Sequence, residues 1–123
     1  MNKTSRLKLE SCHINIIRLA LAVDAVYPIQ CVCGFRDNSA QQKAFDEGKS
    51  KKKPGESKHN RKPSWAADFV PDPDRNPGTL DWDDTIEFEK MCLVFEQKAD
   101  ELDIKIRLGR DFSFKDYPHV ELI

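Results

Sequence analysis

Trp65-Ala66-Ala67-Asp68-Phe69-Val70 is a short, β-prone run with one charged residue set between alanine and phenylalanine. A strand this apolar belongs in the interior of a sheet. An aspartate at its centre is costly to bury unless it is paired or bound to a metal. The run therefore predicts a central strand and, with it, partners that must be brought to Asp68.

Working outward, Ile14, Ile17 and Leu21 recur at i, i+3 and i+7, and Ile16, Ala20 and Val23 widen that face. This reads as a buried helix that closes before Pro28, because the residue preceding a proline is disfavoured in the α region. Ile29 to Cys33 reads as a strand ending in a turn at Gly34. Ser39 can cap a second helix through Glu47, with Gly48 at the position that tolerates left-handed geometry. Residues 49–63 contain Pro54, Gly55 and Pro63 and form a loop. Beyond the central strand, Pro71, Pro73, Pro77 and Gly78 make 71–80 a connector. Asp83 or Thr85 can cap a third helix with the stripe Phe88, Met91, Cys92, Phe95, Ala99 and Leu102. Ile104, Ile106 and Leu108 alternate with Lys105 and Arg107, and Val120 and Leu122 alternate with His119 and Glu121. Two half-buried strands follow from that alternation. The order α, β, α, loop, β, α, β, β is that of an α+β fold.

The chain has 123 residues and a mass of 14.2 kDa, which leaves no room for a second core, so residues 1–123 read as a single domain. A content of 39% hydrophobic and 33% charged residues is that of a soluble globular protein. The net charge of −1 argues against a dedicated nucleic-acid binder. That charge is unevenly spread. Residues 49–62 carry seven basic side chains against Glu56 alone, whereas residues 63–123 carry seven basic and fifteen acidic groups. The basic run has no interleaved aromatic for base stacking. It reads either as solvated surface or as a contact for an anionic partner.

The longest apolar stretch, Ile14 to Val23, contains Asn15 and Arg18 and is far short of the roughly 20 residues of a membrane span. Arg18 and the helical periodicity also speak against a signal peptide. Cys12, Cys31, Cys33 and Cys92 form no Cys-x-x-Cys pair. Alternation points Cys31 and Cys33 to one face of a strand, and all four read as reduced and buried. Two histidines, His59 in a polar loop and His119 at the start of the last strand, have no structural reason to be there. Together with Asp68 they match the donor set of a catalytic zinc site, which leaves the fourth position to water. His13, in the first helix, reads as structural.

Ser57-Lys58-His59-Asn60 followed by Ser64-Trp65-Ala66-Ala67-Asp68 resembles the Ser-x-His … Gly-x-Ala-x-Asp motif of the zinc D-alanyl-D-alanine carboxypeptidase and L-alanyl-D-glutamate endopeptidase family. Asp116-Tyr117-Pro118-His119-Val120-Glu121-Leu122 resembles its closing Asp-x-Pro-His-x-Glu-Leu motif. Gly34-Phe35-Arg36, Gln41 and Gly48-Lys49-Ser50 resemble its Gly-Tyr-Arg … Gln … Gly-x-Ser stretch. The resemblance implies a small antiparallel sheet flanked by helices, the zinc fold shared by Hedgehog and D-alanyl-D-alanine peptidases. It further implies zinc on His59, Asp68 and His119, Asp116 as general base, and Arg36 gripping a substrate carboxylate or the polarised carbonyl. On the residues alone, Arg36 could instead pair with Asp37 or Asp46, and Asp116 could serve only the turn before Pro118. Glu121 either orients a metal ligand or lies on the surface. The chain departs from the pattern in a longer His59–Asp68 connection, in Ser64 for the motif glycine, and in Leu108 and Phe112 where tryptophans line the substrate wall.

The implied activity is hydrolysis of peptidoglycan stem peptides, foremost as a phage endolysin with L-alanyl-D-glutamate endopeptidase activity. The alternatives are a D-alanyl-D-alanine carboxypeptidase and a non-catalytic zinc domain that binds the cell wall. Such an endolysin is expected to be a monomer without stable membrane insertion. It would accumulate in the host bacterial cytoplasm and act on the wall once the membrane is breached.

Overall fold

A computed structural model describes residues 1–75 and 85–123. Helix α1 spans Lys3–Glu10 and α2 spans Ile14–Asp24, followed by strand β1 at Ile29–Cys33 and helix α3 at Asn38–Asp46. Strand β2 covers Ala66–Pro71, helix α4 Thr85–Leu102, β3 Ile106–Leu108 and β4 His119–Leu122. The four strands form one antiparallel sheet in the order β1-β2-β4-β3. The Asp68 strand is thus interior, paired on both edges. Among the described residues no helix is long and apolar enough to cross a membrane.

Strand alternation divides the sheet into two unlike faces. Ala67, Phe69, Val120, Leu108 and Leu122 face the core, where Phe88, Met91, Cys92, Phe95 and Ala99 of α4 cover them together with α2. Five of the six predicted stripe residues of α4 are buried and Leu102, at its end, is half-buried, while Phe95 lies against Phe69 with ring centroids 5.0 Å apart. On α2 the apolar residues run nearly all the way round, so periodicity alone offers two competing faces. The buried one is Ile16, Leu19, Ala20 and Val23, while Ile14 and Leu21 point to solvent. His13 lies just ahead of α2 and caps it, its ring accepting the Asn15 amide at 3.0 Å.

Asp37, not Ser39, caps α3 by accepting the Ala40 amide, and Gly48 has the expected positive φ of 73°. Pro71 closes β2 opposite Ile29 instead of opening the connector, and the expected roles of Pro77, Gly78 and Asp83 fall outside the described residues. The sequence gives little sign of α1, whose only buried residues are Ser5 and Leu9. It docks because Gly34 has no side chain. A Cβ there would collide with the Lys8 carbonyl and the Ser11 hydroxyl.

A β-bulge between Cys31 and Cys33 changes what the strand presents on each side. Cys31 pairs with Phe69 on the core face, whereas Cys33 pairs with Asp68 on the opposite face. The two cysteines therefore do not share a face, and Cys33 is half-buried rather than buried. Truncating the ring that joins helix to sheet tests this architecture. Phe95→Ala should lower unfolding free energy by about 3–5 kcal/mol, measured by urea denaturation with an unchanged slope.

Candidate metal centre

The face of the sheet away from the core carries Cys33, Asp68, His119, Glu121 and Arg107, because the ladder pairs Cys33 and His119 with Asp68, and Arg107 with Glu121. His59 joins them from a 3-10 turn at Lys58–Asn60. A capping box holds that turn, with the Ser57 hydroxyl accepting the His59 amide and Asn60 reaching back to the Ser57 amide. The loop histidine is accordingly buried, at 2% exposure. Ser64, where the motif has glycine, has no positive φ and donates its hydroxyl to the Ala66 carbonyl, so the turn needs no glycine.

His59 Nε2 and His119 Nδ1 each lie 3.4 Å from Asp68 Oδ1, and 3.3 Å from one another. The outer ring nitrogens fix both tautomers. His59 Nδ1 donates to the Gly34 carbonyl at 2.8 Å, and His119 Nε2 donates to Glu121 Oε1 at 2.8 Å. Each histidine therefore turns a lone pair toward the third acceptor, Asp68 Oδ1, a fully buried atom with no hydrogen-bond partner among the described residues. Three acceptors at mutual distances of 3.3–3.4 Å form one face of a tetrahedron. Its centre lies about 2.0–2.1 Å from each, the bond length of zinc to nitrogen and oxygen. The residues fit a tetrahedral cation with one open position.

Without a cation the cluster holds protons instead. Burial opposes a charged His59, but Asp68 and Cys33 outweigh it and pull its pKa up to about 10. His119 is raised against burial by Asp68 and Glu121. Burial also opposes a charged Asp68, yet the two imidazoles hold it well below the usual carboxylate range. Metal and protons thus compete for the same lone pairs.

Glu121 is not a surface residue. It is buried, accepts the His119 proton, and its second oxygen lies 3.1 Å from Lys58 Nζ. Burial would raise its pKa, but His119 and Lys58 bring it down to about 2. Asp116 has a carboxylate oxygen within 4.8 Å of ligand atoms of Asp68 and His119. Its side chain makes no hydrogen bond among the described residues. Burial and the Asp68 charge raise its pKa. The backbone of Asp116 is fixed, its amide donating to Gly109 and its carbonyl accepting from His119. Gly109 has to be glycine, since a Cβ would strike the Asp116 carbonyl and His119.

Arg36 pairs with neither Asp37 nor Asp46. Its guanidinium donates to Gln41 Oε1 at 3.0 Å, contacts Cys33 Sγ at 3.4 Å and lies 3.7 Å from Asp68 Oδ2. Sequence reasoning did not bring Cys33 here, although with His59 and Asp68 it forms a second possible donor group. Burial would raise its thiol, but His59 and Arg36 outweigh that and lower it. Leu108 is a core residue and no part of a substrate wall, whereas the Phe112 ring stands 5.4 Å from that of His119. The site opens into a cleft of about 480 Å³ that Arg36, Asp116 and Phe112 line. Removing the charge behind His119 while keeping its shape should loosen the centre. Glu121→Gln is expected to weaken zinc affinity roughly 10–100-fold, measured by competition with a chromogenic chelator.

The whole chain, residues 1–123, matches the family model described as phage L-alanyl-D-glutamate peptidase. Among solved structures it is similar to the Serratia marcescens L-Ala D-Glu endopeptidase ChiX, with a TM-score of 0.83 at 21% sequence identity. That match covers 100% of this chain and 89% of the other, and at such identity it speaks for the fold. No curated protein matches the chain. A family match over the full length, on a chain whose acceptors converge beside an open cleft, supports one conclusion: this chain belongs to the phage L-alanyl-D-glutamate peptidase family.

Proposed function

We propose that the chain is a zinc-dependent peptidoglycan endopeptidase that hydrolyses the L-alanyl-D-glutamate bond of stem peptides. In this reading His59, Asp68 and His119 hold the metal, Asp116 is the general base, and Arg36 holds the substrate. The single domain, residues 1–123, acts as a monomeric phage endolysin. It is stored in the host cytoplasm and reaches the wall after membrane breach. Family membership supports the reaction. The observation that carries the metal is the triangle of ring nitrogens and carboxylate oxygen on His59, His119 and Asp68, with the two rings held from behind by the Gly34 carbonyl and Glu121.

Zinc, when bound, supplies Lewis acidity, bringing the pKa of water toward about 7 and polarising a carbonyl. The chain supplies the rest. Asp116 is a carboxylate without a hydrogen-bonded partner, held at the cleft by its own backbone bonds, so an oxygen is free to accept the proton of the attacking water. The same group can return that proton to the departing amine. Arg36, oriented by Gln41, offers a planar fork for a substrate carboxylate or the developing oxyanion. Glu121 keeps His119 in the tautomer that presents Nδ1.

Digestion of purified sacculi, with mass spectrometry of the new termini, tests the reaction. Free amino groups on D-glutamate are expected, and release of D-alanine alone would contradict the reading. Asp116→Asn should keep its zinc and its fold yet lose about a hundredfold or more in kcat. His119→Ala should lose the metal itself, measured by elemental analysis. Full activity in Asp116→Asn would move the base elsewhere.

A further inference from the structure

The basic run of residues 49–62 is anchored, and part of it faces the cleft. Gln41, fully buried, donates its amide to the Lys52 carbonyl at 2.7 Å and to Ser50 Oγ at 3.0 Å. Ser50 Oγ in turn accepts the Lys52 amide. Lys51 and Lys52 consequently line the cleft, whereas Lys53 turns away over the Phe45 ring and Lys58 is committed to Glu121. Arg107 lines the same cleft from β3, its guanidinium 4.7 Å from the Phe112 ring, and Lys51 Nζ lies 4.5 Å from the Phe114 ring. Among the described residues none of Lys51, Lys52 and Arg107 has a carboxylate within ion-pair distance. The rings orient Lys51 and Arg107 without neutralising them.

We infer that Lys51, Lys52 and Arg107 form a carboxylate-reading arm of the substrate cleft, which selects stem peptides whose third residue is diaminopimelate over those with lysine. The inference rests on the proposed endopeptidase reading. Arg36 stands beside Asp68 at the metal centre, within reach of a carboxylate next to the scissile bond. The three further cations suit a second carboxylate farther along the peptide. Diaminopimelate ends its side chain in a zwitterion with a free carboxylate, whereas lysine ends in a bare ammonium. Beside three cations that have no carboxylate within ion-pair distance among the described residues, the first is favoured over the second, although the Asp116 carboxylate lines the same cleft. All three cations are exposed, so each contributes modestly and all are screened by salt.

Calorimetric binding of the product dipeptides γ-D-glutamyl-diaminopimelate and γ-D-glutamyl-L-lysine to the zinc-loaded protein tests this directly. At low salt the first should bind roughly fivefold tighter, and the preference should shrink at high salt. The Lys51→Gln/Lys52→Gln and Arg107→Gln variants should bring the ratio toward one, while Lys51→Arg/Lys52→Arg should keep it. Equal binding by the parent, or an unchanged ratio in the glutamine variants, would overturn the inference. Cleavage of the intact tripeptides, followed in parallel, reads the other proposal separately. Discrimination between dipeptides without cleavage at L-alanyl-D-glutamate would sink the endopeptidase reading and leave the carboxylate-reading arm standing.

Discussion

His59 Nε2, His119 Nδ1 and Asp68 Oδ1 turn three lone pairs toward one point in a buried site, and neither imidazole has a proton to place between them in its fixed tautomer. Such an arrangement is repulsive until a cation, or protons borrowed from solvent, occupies the middle. The rest of the molecule maintains it. The ladder sets His119 opposite Asp68, the capping box turns His59 inward, and Gly34 offers the carbonyl that fixes one ring while accepting the end of α1. Glu121 fixes the other ring from the same strand face. The core on the far side, from Phe69 to Phe95, keeps the sheet rigid enough to hold these distances.

The donors were legible because strand alternation alone sets Asp68 and His119 apart from their apolar neighbours, and the motif spacing carries His59. The strands, helices α2 to α4 and most of the α4 stripe follow from periodicity and from proline and glycine positions, whereas the antiparallel sheet is implied only by the family resemblance. What escaped reading depends on contacts between distant segments. The bulge that turns Cys33 from the face of Cys31 leaves no trace in residue type. Helix α1 buries two residues and exists through its docking against Gly34. On α2 two apolar stripes compete, and only the placement of α4 and the sheet chooses between them. Leu108 shares its strand with the cleft-facing Arg107 but faces the core, which a motif alignment cannot tell.

Charge organises the protein on a larger scale. The body from residue 63 onward is acidic, yet the cleft gathers Arg36, Lys51, Lys52 and Arg107 around a centre suited to a divalent cation. On the inference drawn above, such a cleft prefers substrates that bring carboxylates, modestly and in a salt-dependent way. Gln41 links the two levels. One buried amide orients Arg36 with its oxygen and anchors the basic loop with its nitrogen.

X-ray absorption at the zinc edge of the metal-loaded protein tests the central claim most directly. Two imidazole nitrogens and light oxygen ligands at about 2.0–2.1 Å, with no sulfur neighbour, are the expected result. A sulfur at about 2.3 Å would place Cys33 in the coordination shell instead and contradict the assignment of His59, Asp68 and His119 as the ligand set.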